Sequence, residues 1–477
     1  MITAIEIENF KGFGKRQRIE LAPITLLFGA NSAGKSSFFH ALFFLRDVFA
    51  TGRANFEQLE FFSKSIDLGG FENVVHNHNK RGEIRFRLEF LVSLEEQAAF
   101  SRERGNFHLT EGLFVIELAF SHSDGSSSMI HGFQLSFSGK KALDLVLLNR
   151  KEQNQSAVAL TVEMEVCDQL IDFPYYEGSD STRVFELPMN SGAFPSEAEF
   201  ETAIPIMFDE EDDTREVLEY CGTIFKAHID YSKECLNDFL YIGPLREVPP
   251  AIYNTSRNIR TERWSMGQAA WDELHLSQTE GRDQLLSDTN SWLERMGVGV
   301  KILMGPDVIA HHDSGYPMTV LARVVPLNNG DSTGPSLRVQ DVGCGVAQLT
   351  PVIVAMLLDR RKTVLIEQPE LHLHPRLQAE LGDVLVANCD ELTHVIIETH
   401  SENLLLRLLR RIRESKKNLQ PKGLKLRTDG VAIYFFQQSE GHTQATRIDV
   451  DVNGDFIQPW PDDFFEIDFY ERFPDAR

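Results

Sequence analysis

The chain has 477 residues, 42% hydrophobic and 25% charged, with a net charge of −24 from 47 basic and 71 acidic residues. That length can bury a large core and hold two or three lobes, and the composition is that of an ordinary globular protein, with no apolar run of about 18 residues to span a membrane. The acidity argues against a surface that binds nucleic acid as a whole, because phosphates are repelled at long range, while leaving a local basic groove open.

Residues 1–6 lack a basic n-region and an apolar h-region, so no secretion signal is expected. Residues 2–7 alternate as a strand does, and residues 18–21 look like its partner. Residues 24–28 (Ile-Thr-Leu-Leu-Phe) read as a buried strand and residues 36–48 as a helix. Between them, residues 29–37 run Gly-Ala-Asn-Ser-Ala-Gly-Lys-Ser-Ser, which is the pattern G-x-x-x-x-G-K-[ST] in its strand–loop–helix setting. Gly29 and Gly34 let the backbone turn tightly and bring loop N–H groups onto a phosphate chain, with Asn31, Ser32, Ala33 and Ser37 in the cradle. Lys35 can reach the β- and γ-phosphates, the Ser36 hydroxyl is placed for Mg²⁺, and the positive end of the helix faces the anion. ATP and Mg²⁺ are the expected ligands.

Residues 84–90, 114–118, 133–137 and 160–164 are strand-like runs separated by polar turns, the signature of an antiparallel meander. Residues 170–214 are turn-rich and acidic and read as loop or arm. Within them Asp209-Glu210-Glu211-Asp212-Asp213 is a solvated loop or a docking site for a basic partner. Residues 214–240 have helical spacing, residues 241–246 (Tyr-Ile-Gly-Pro-Leu-Arg) read as a strand ending in a turn, and residues 255–297 are mainly helical. There is no internal repeat, no low-complexity tract and no heptad run long enough for a coiled-coil arm.

Residues 341–349 (Asp-Val-Gly-Cys-Gly-Val-Ala-Gln-Leu) lead into an apolar helix at 352–358. They can make a second anion cradle or simply a flexible loop before a core helix. A P-loop enzyme needs a second acidic strand, and residues 363–367 (Thr-Val-Leu-Ile-Glu) supply it, followed by Gln368-Pro369-Glu370. Residues 394–401 form another buried strand, ending at His400, with a helix at 375–386 between the two. The order strand–helix–strand implies a parallel sheet.

A basic stretch follows, with Arg407, Arg410, Arg411, Arg413, Lys416, Lys417, Lys422, Lys425 and Arg427. Arg407, Arg410, Arg411 and Lys417 can share a helix face, read either as a nucleic-acid or partner surface or as a solvated face. His372 and His374 look like a metal pair but lie in the block after the acidic strand, His76-Asn77-His78 lacks the ligands an HNH nuclease needs at fitting spacing, and His311-His312-Asp313 sits beside Gly and Pro in a loop, so none reads as a metal site. The five cysteines (Cys167, Cys221, Cys235, Cys344, Cys389) form no C-x-x-C, which fits free thiols in a reducing, cytoplasmic setting.

Taken together, Glu8-Asn9-Phe10-Lys11-Gly12-Phe13, the Gly-x-Asn form of the P-loop, the block Glu-Gln-Pro-Glu-Leu-His-Leu-His-Pro at 367–375 and Glu398-Thr399-His400-Ser401 resemble the ABC/SMC-type ATPases. The match is to the OLD-like branch, found in bacterial phage-defence operons, and residues 453–465 resemble the C-terminal extension of one subgroup. No acidic cluster typical of a Toprim nuclease follows His400. The resemblance implies an α/β head with a parallel core sheet, an antiparallel β-meander subdomain and a helical arm. It divides as an N-terminal ATPase lobe (1–169), an acidic loop and helical arm (170–330) and a C-terminal ATPase lobe (331–477). It gives Lys11 a phosphate contact, Glu367 the Mg²⁺-linked position, Gln368 the place of the usual catalytic glutamate and His400 that of the switch histidine. By the same resemblance His374 lies in a loop that crosses a dimer interface, and residues 68–72 occupy the Q-loop region. Gly343, Gly345 and Gln348 fall in the signature loop, which contacts the nucleotide of an opposing subunit, so a homo-oligomer of at least two heads is expected. Three functions follow: a nucleotide-gated sensor or scaffold holding a separate effector such as a nuclease, a DNA-repair or chromosome-maintenance ATPase, and the energising subunit of a transporter. The lack of a coiled coil counts against the second, and the absent LSGGQ sequence and SMC-like N-terminus against the third.

Overall fold

A computed structural model describes residues 1–61, 64–104, 109–122, 129–137, 140–148, 156–163, 182–189, 194, 204–205, 212–249, 253–254, 261–305, 319–328, 331–332, 334–358 and 362–461. The chain opens with β1 (Ile2–Glu8), β2 (Gln17–Glu20), β3 (Ile24–Gly29) and α1 (Lys35–Thr51). A hairpin of β4 (Gln58–Phe61) and β5 (Lys64–Asp67) and one helical turn, α2 (Phe71–Val74), lead to β6 (Ile84–Val92) and α3 (Leu94–Arg104). Next come β7 (Gly112–Ser121), β8 (Met129–Phe137), β9 (Lys140–Leu148), β10 (Ser156–Glu163), β11 (Thr182–Met189) and β12 (Ile204–Pro205). The long α4 (Asp212–Asn237) returns the chain to β13 (Phe239–Ile242). After β14 (Tyr253–Asn254) stand α5 (Thr261–Ser265), α6 (Gln268–Thr279), α7 (Gln284–Arg295), β15 (Val300–Gly305), β16 (Thr319–Asn328), β17 (Asp331–Ser332) and β18 (Leu337–Arg338). The last part is α8 (Gly345–Leu357), β19 (Lys362–Glu367), α9 (Pro375–Asn388), β20 (Thr393–Glu398), α10 (Glu402–Lys416), β21 (Val431–Ser439) and β22 (His442–Arg447).

The fold is α/β. One sheet, ordered β12-β11-β10-β9-β8-β7-β6-β1-β2, is antiparallel throughout. The expectation of loop across 170–214 is therefore corrected at 182–189 and 204–205, which extend the meander by β11 and β12. The acidic interruptions hid the alternating Val184-Phe185-Glu186-Leu187 run. The 170–330 segment also carries strands β15 and β16 beside its helices. Asp209 to Glu211, Cys167 and His311 to Asp313 lie outside the described residues.

The second sheet runs β13-β19-β20-β3-β21-β22, parallel from β13 to β21 and closed by the antiparallel β22. Its strands alternate, so each one feeds two cores. Leu27, Leu365, Ile396 and Phe436 point to a core shared with α1 and the antiparallel sheet. Leu26, Phe28, Ile366, Ile397 and Phe435 point to a core shared with α6, α8, α9 and α10. Helix α1 is apolar on several sides because it lies between two sheets. Phe44 meets Phe86 and Phe120 of the antiparallel sheet at 5.7 and 5.2 Å between ring centroids, and Phe43 meets Tyr241 of the parallel sheet at 5.0 Å. Helix α8 begins at Gly345, not at the expected 352, and it carries Pro351 inside. Among the described residues no helix is long and apolar enough to cross a membrane.

Candidate functional site

Register brings the chemistry to one edge. Glu367 pairs with Glu398 across β19 and β20, Glu398 with Leu27 on β3, and Gly29 with Phe436 on β21. The P-loop, the acidic strand and the residues before His400 thus leave the carboxyl ends of neighbouring parallel strands, where α/β sheets place their ligands.

The loop itself is strained in the way its glycines permit. Gly29 has φ +137° and Gly34 φ +110°; a Cβ on Gly29 would sit 2.1 Å from the Phe436 carbonyl oxygen. Lys35 is 3% exposed, and its Nζ donates to the carbonyls of Gly29 (2.8 Å) and Ala30 (2.9 Å). Burial lowers its pKa, with Glu398 and Glu370 pulling the other way. Ala33 is buried, while Asn31, Ser32 and Ser36 are exposed and Ser37 is half-buried. The Ser36 hydroxyl donates to Glu398 Oε2 at 3.5 Å.

Glu367, expected to be the Mg²⁺-linked carboxylate, accepts from Tyr241 Oη at 2.8 Å, and burial raises its pKa. The carboxylate beside Ser36 is Glu398, pushed up to about 7 by burial, then held down by Lys35 and raised by Glu367. Hydroxyl and carboxylate oxygens are the hard donors that suit Mg²⁺, which takes one or two carboxylates and fills its remaining positions with phosphate and water. Ser36, Glu398 and Glu367 therefore fit that ion, and among the described residues no group of three His, Cys, Asp or Glu offers another metal site. His372 has φ +61° and His374 caps α9 by accepting from the Arg376 N–H, so both serve the turn.

Gln368 also stands at positive φ, +44°; its N–H donates to the Glu398 carbonyl at 2.7 Å. Glu370 accepts from Thr399 Oγ1 (2.8 Å) and from the His400 N–H (2.7 Å), fixing the turn that presents the histidine. Burial and the Lys35 charge lower the His400 pKa. Lys11, at φ +49°, places Nζ 2.5 Å from His40 Nδ1 on α1; burial lowers the lysine to about 8. No hydrogen bond among the described residues joins Gly343, Gly345 or Gln348 to residues 29–37; Gln348 is buried against Arg246 instead.

Several participants gave no motif. Tyr241 lies within β13 and Arg246 just beyond its end, and only their place at a strand end could have marked them. Thr443 and Gln438 come from the β21–β22 hairpin and donate to the Ala33 carbonyl at 3.1 and 3.4 Å. A Cβ on Gly34 would lie 2.4 Å from Thr443 Oγ1, so the hairpin braces the loop from behind.

The basic stretch is partly engaged in ion pairs. Arg407 pairs with Asp383 and Glu380, Arg411 with Asp383 and Glu414, and Arg410 with Glu414. Arg413 pairs with Asp455, Lys416 donates to Asn453, and Arg427 pairs with Asp429. Of the proposed shared face, Arg407 and Arg411 are turned into ion pairs with α9, whereas Arg410 and Lys417 stay exposed, as do Lys422 and Lys425.

Residues 1–242 match the family model described as "AAA ATPase domain", 242 of the 477 residues. The chain belongs to the AAA ATPase domain family. This AAA ATPase also matches, over residues 277–407, the model described as "AAA domain, putative AbiEii toxin, Type IV TA system". It is a nucleotide-binding ATPase of P-loop type. No curated protein matches it. Among solved structures it is similar to an Smc head bound to the C-winged helix domain of ScpA, at 11% identity, covering 94% of this chain and 98% of that one, TM-score 0.42. A Pyrococcus furiosus Smc head with an extended coiled coil, bound to the C-terminal domain of ScpA, gives 11%, 94%, 96% and 0.40. The SMC head domain from Thermotoga maritima gives 8%, 94%, 99% and 0.38. These likenesses are distant.

Proposed function

We propose that this AAA ATPase is an ABC/SMC-type head of the OLD-like branch. It hydrolyses ATP slowly and uses the bound nucleotide to gate a separately encoded effector, such as a nuclease, in bacterial antiviral defence in the cytoplasm. The observation that carries the reading is the convergence of Lys35, Ser36, Glu398, Glu367 and Gln368 at the carboxyl ends of adjacent parallel strands. The second matched family, whose description names a toxin of a toxin–antitoxin system, supports a setting in cellular conflict.

In this reading the P-loop N–H groups and Lys35 bind the phosphate chain; Lys35 exchanges the Gly29 and Ala30 carbonyls for phosphate oxygens. Ser36, with Glu398 or Glu367, would hold Mg²⁺, whose charge would offset that of the phosphate oxygens when the ion is bound. Gln368 orients the attacking water, since a neutral amide cannot take its proton as a carboxylate can. His400 takes the role of sensing the γ-phosphate. The segment with Gly343, Gly345 and Gln348, unconnected by hydrogen bonds to its own P-loop, serves the nucleotide of a second head, so ATP favours a dimer. A DNA-maintenance role loses support from the internal pairing of the basic stretch.

The test is ATP turnover of the purified chain beside Lys35→Ala, with oligomer mass read in the same samples. Turnover and ATP-dependent assembly, both lost in the variant, are expected. Assembly that ignores ATP in both proteins overturns the gating.

A further inference from the structure

We propose that Arg246 is a positioning residue that couples the first turn of α8 to Gln368. The inference rests on the role given above to Gln368. Arg246 is 4% exposed and lies beyond β13, between two segments that are distant in sequence. Its Nη2 donates to the carbonyls of Glu367 (2.9 Å) and Gln368 (3.3 Å), and its Nη1 to the carbonyl of Gln348 (3.4 Å). Gln348 answers by donating from Nε2 to the Arg246 carbonyl at 2.7 Å. One planar guanidinium thus spans the α8 N-terminal turn and the turn that holds Gln368 at positive φ.

The joint is not saturated. Gln348 Oε1 and Arg246 Nε are both buried without a hydrogen-bond partner among the described residues. One is an acceptor and the other a donor, so each residue holds a group that the other can satisfy in a second arrangement. Such a second closure would make the joint a two-state element of the kind that transmits displacement between sites. The neighbouring packing leaves little slack. Gly267 has φ +75°, and a Cβ there would meet Pro351 of α8 at 2.8 Å and Arg246 Cβ at 3.4 Å. A shift of α8 is therefore felt at Arg246, and through its two other carbonyl partners at Gln368. A second head pressing on Gly343 to Gln348 would act on hydrolysis by this route.

Full-length Arg246→Lys, Gln348→Met, Gln368→Ala and the double variant Arg246→Lys with Gln368→Ala test it, by ATP turnover, by ATP binding in equilibrium dialysis and by thermal midpoint. A lysine keeps the charge but cannot hold three carbonyls in one plane. Expected is a kcat lower by about 10-fold or more in Arg246→Lys with KM within about twofold. Gln348→Met should change kcat in the same direction. In the Gln368→Ala background the lysine should cost less than about threefold further, because the residue it positions is gone. Wild-type kcat in Arg246→Lys, or a full multiplicative loss in the double variant, overturns the coupling. If Arg246→Lys does not fold, Gln348→Met decides by the same split of kcat from KM. Gln368→Ala with wild-type turnover defeats the role of Gln368 itself. That result is distinct from an inert Arg246→Lys beside a damaged Gln368→Ala, which defeats the coupling alone.

Discussion

Lys35 Nζ lies 3.8 Å from Glu398 Oε1, and the two side chains are only 3% and 8% exposed. The pair ties the head of α1 to the end of β20. Glu398 has its pKa raised from 4.5 to about 7, burial outweighing the lysine. A carboxyl raised in the folded state holds its proton more tightly than in the unfolded chain. Its contribution to stability is full below the unfolded pKa and is lost as pH rises through the folded one. Glu398→Gln should remove that dependence. The stability of wild type relative to the variant should fall between about pH 5 and about pH 8, by no more than about 3 kcal/mol. Urea denaturation at several pH values measures it, and parallel curves for the two proteins would contradict it.

Tyr241 donates to Glu367, a bond that opposes the upward shift burial gives the carboxyl. Tyr241→Phe should let the Glu367 pKa rise further. If ionised Glu367 is required, the acidic limb of the turnover-against-pH profile should move to higher pH, while the loss of stability stays near 1 kcal/mol. A profile that does not move would separate Glu367 ionisation from hydrolysis.

Gln368→Glu restores a carboxylate that can accept a proton from water. Turnover should rise by about 10-fold or more with little change in ATP affinity. Unchanged turnover would place the proton acceptor elsewhere, with Glu370 in the same turn and His400, whose N–H Glu370 accepts, as candidates.

Asp383 accepts from both Arg407 and Arg411, and the Arg411 side chain is 6% exposed. Arg411→Ala removes one partner of a buried charge and should cost about 3 kcal/mol, whereas Lys417→Ala should stay within about 0.5 kcal/mol. Chemical denaturation of the two variants compares them directly. Equal, small effects would return the basic stretch to the solvent and reopen it as a binding face.

The sequence pattern made the site's phosphate half legible because glycine spacing, a lysine and a hydroxyl each have a fixed mechanical use, and residues 29–37 carry them consecutively. The parallel sheet was legible for a related reason: the apolar runs ending at Glu367 and Glu398 are buried on both faces. What contacts Glu367 was not legible. Tyr241 and Arg246 stand 126 and 121 residues away, and long-range pairing leaves no local period. The hairpin support from Thr443 was hidden likewise, since it depends on Gly34 lacking a side chain. The pairing within the basic stretch was not legible either, because helical spacing shows which charges share a face but not that Asp383 and Glu380 of α9 meet Arg407 and Arg411.

Strand β3 has all six residues buried and is complete by Gly29, yet the strands on its two sides are β20 and β21, more than 360 residues later. During synthesis at about 5–20 residues per second, the ribosome needs on the order of 20–80 s to deliver them. Through that interval an apolar strand carries two open edges, the kind of segment that aggregates or needs a chaperone's shelter. The P-loop's strand gains its β21 neighbour only when the far end of the message has been read. A chain truncated before Val431 to Phe436 is therefore expected to capture nucleotide poorly.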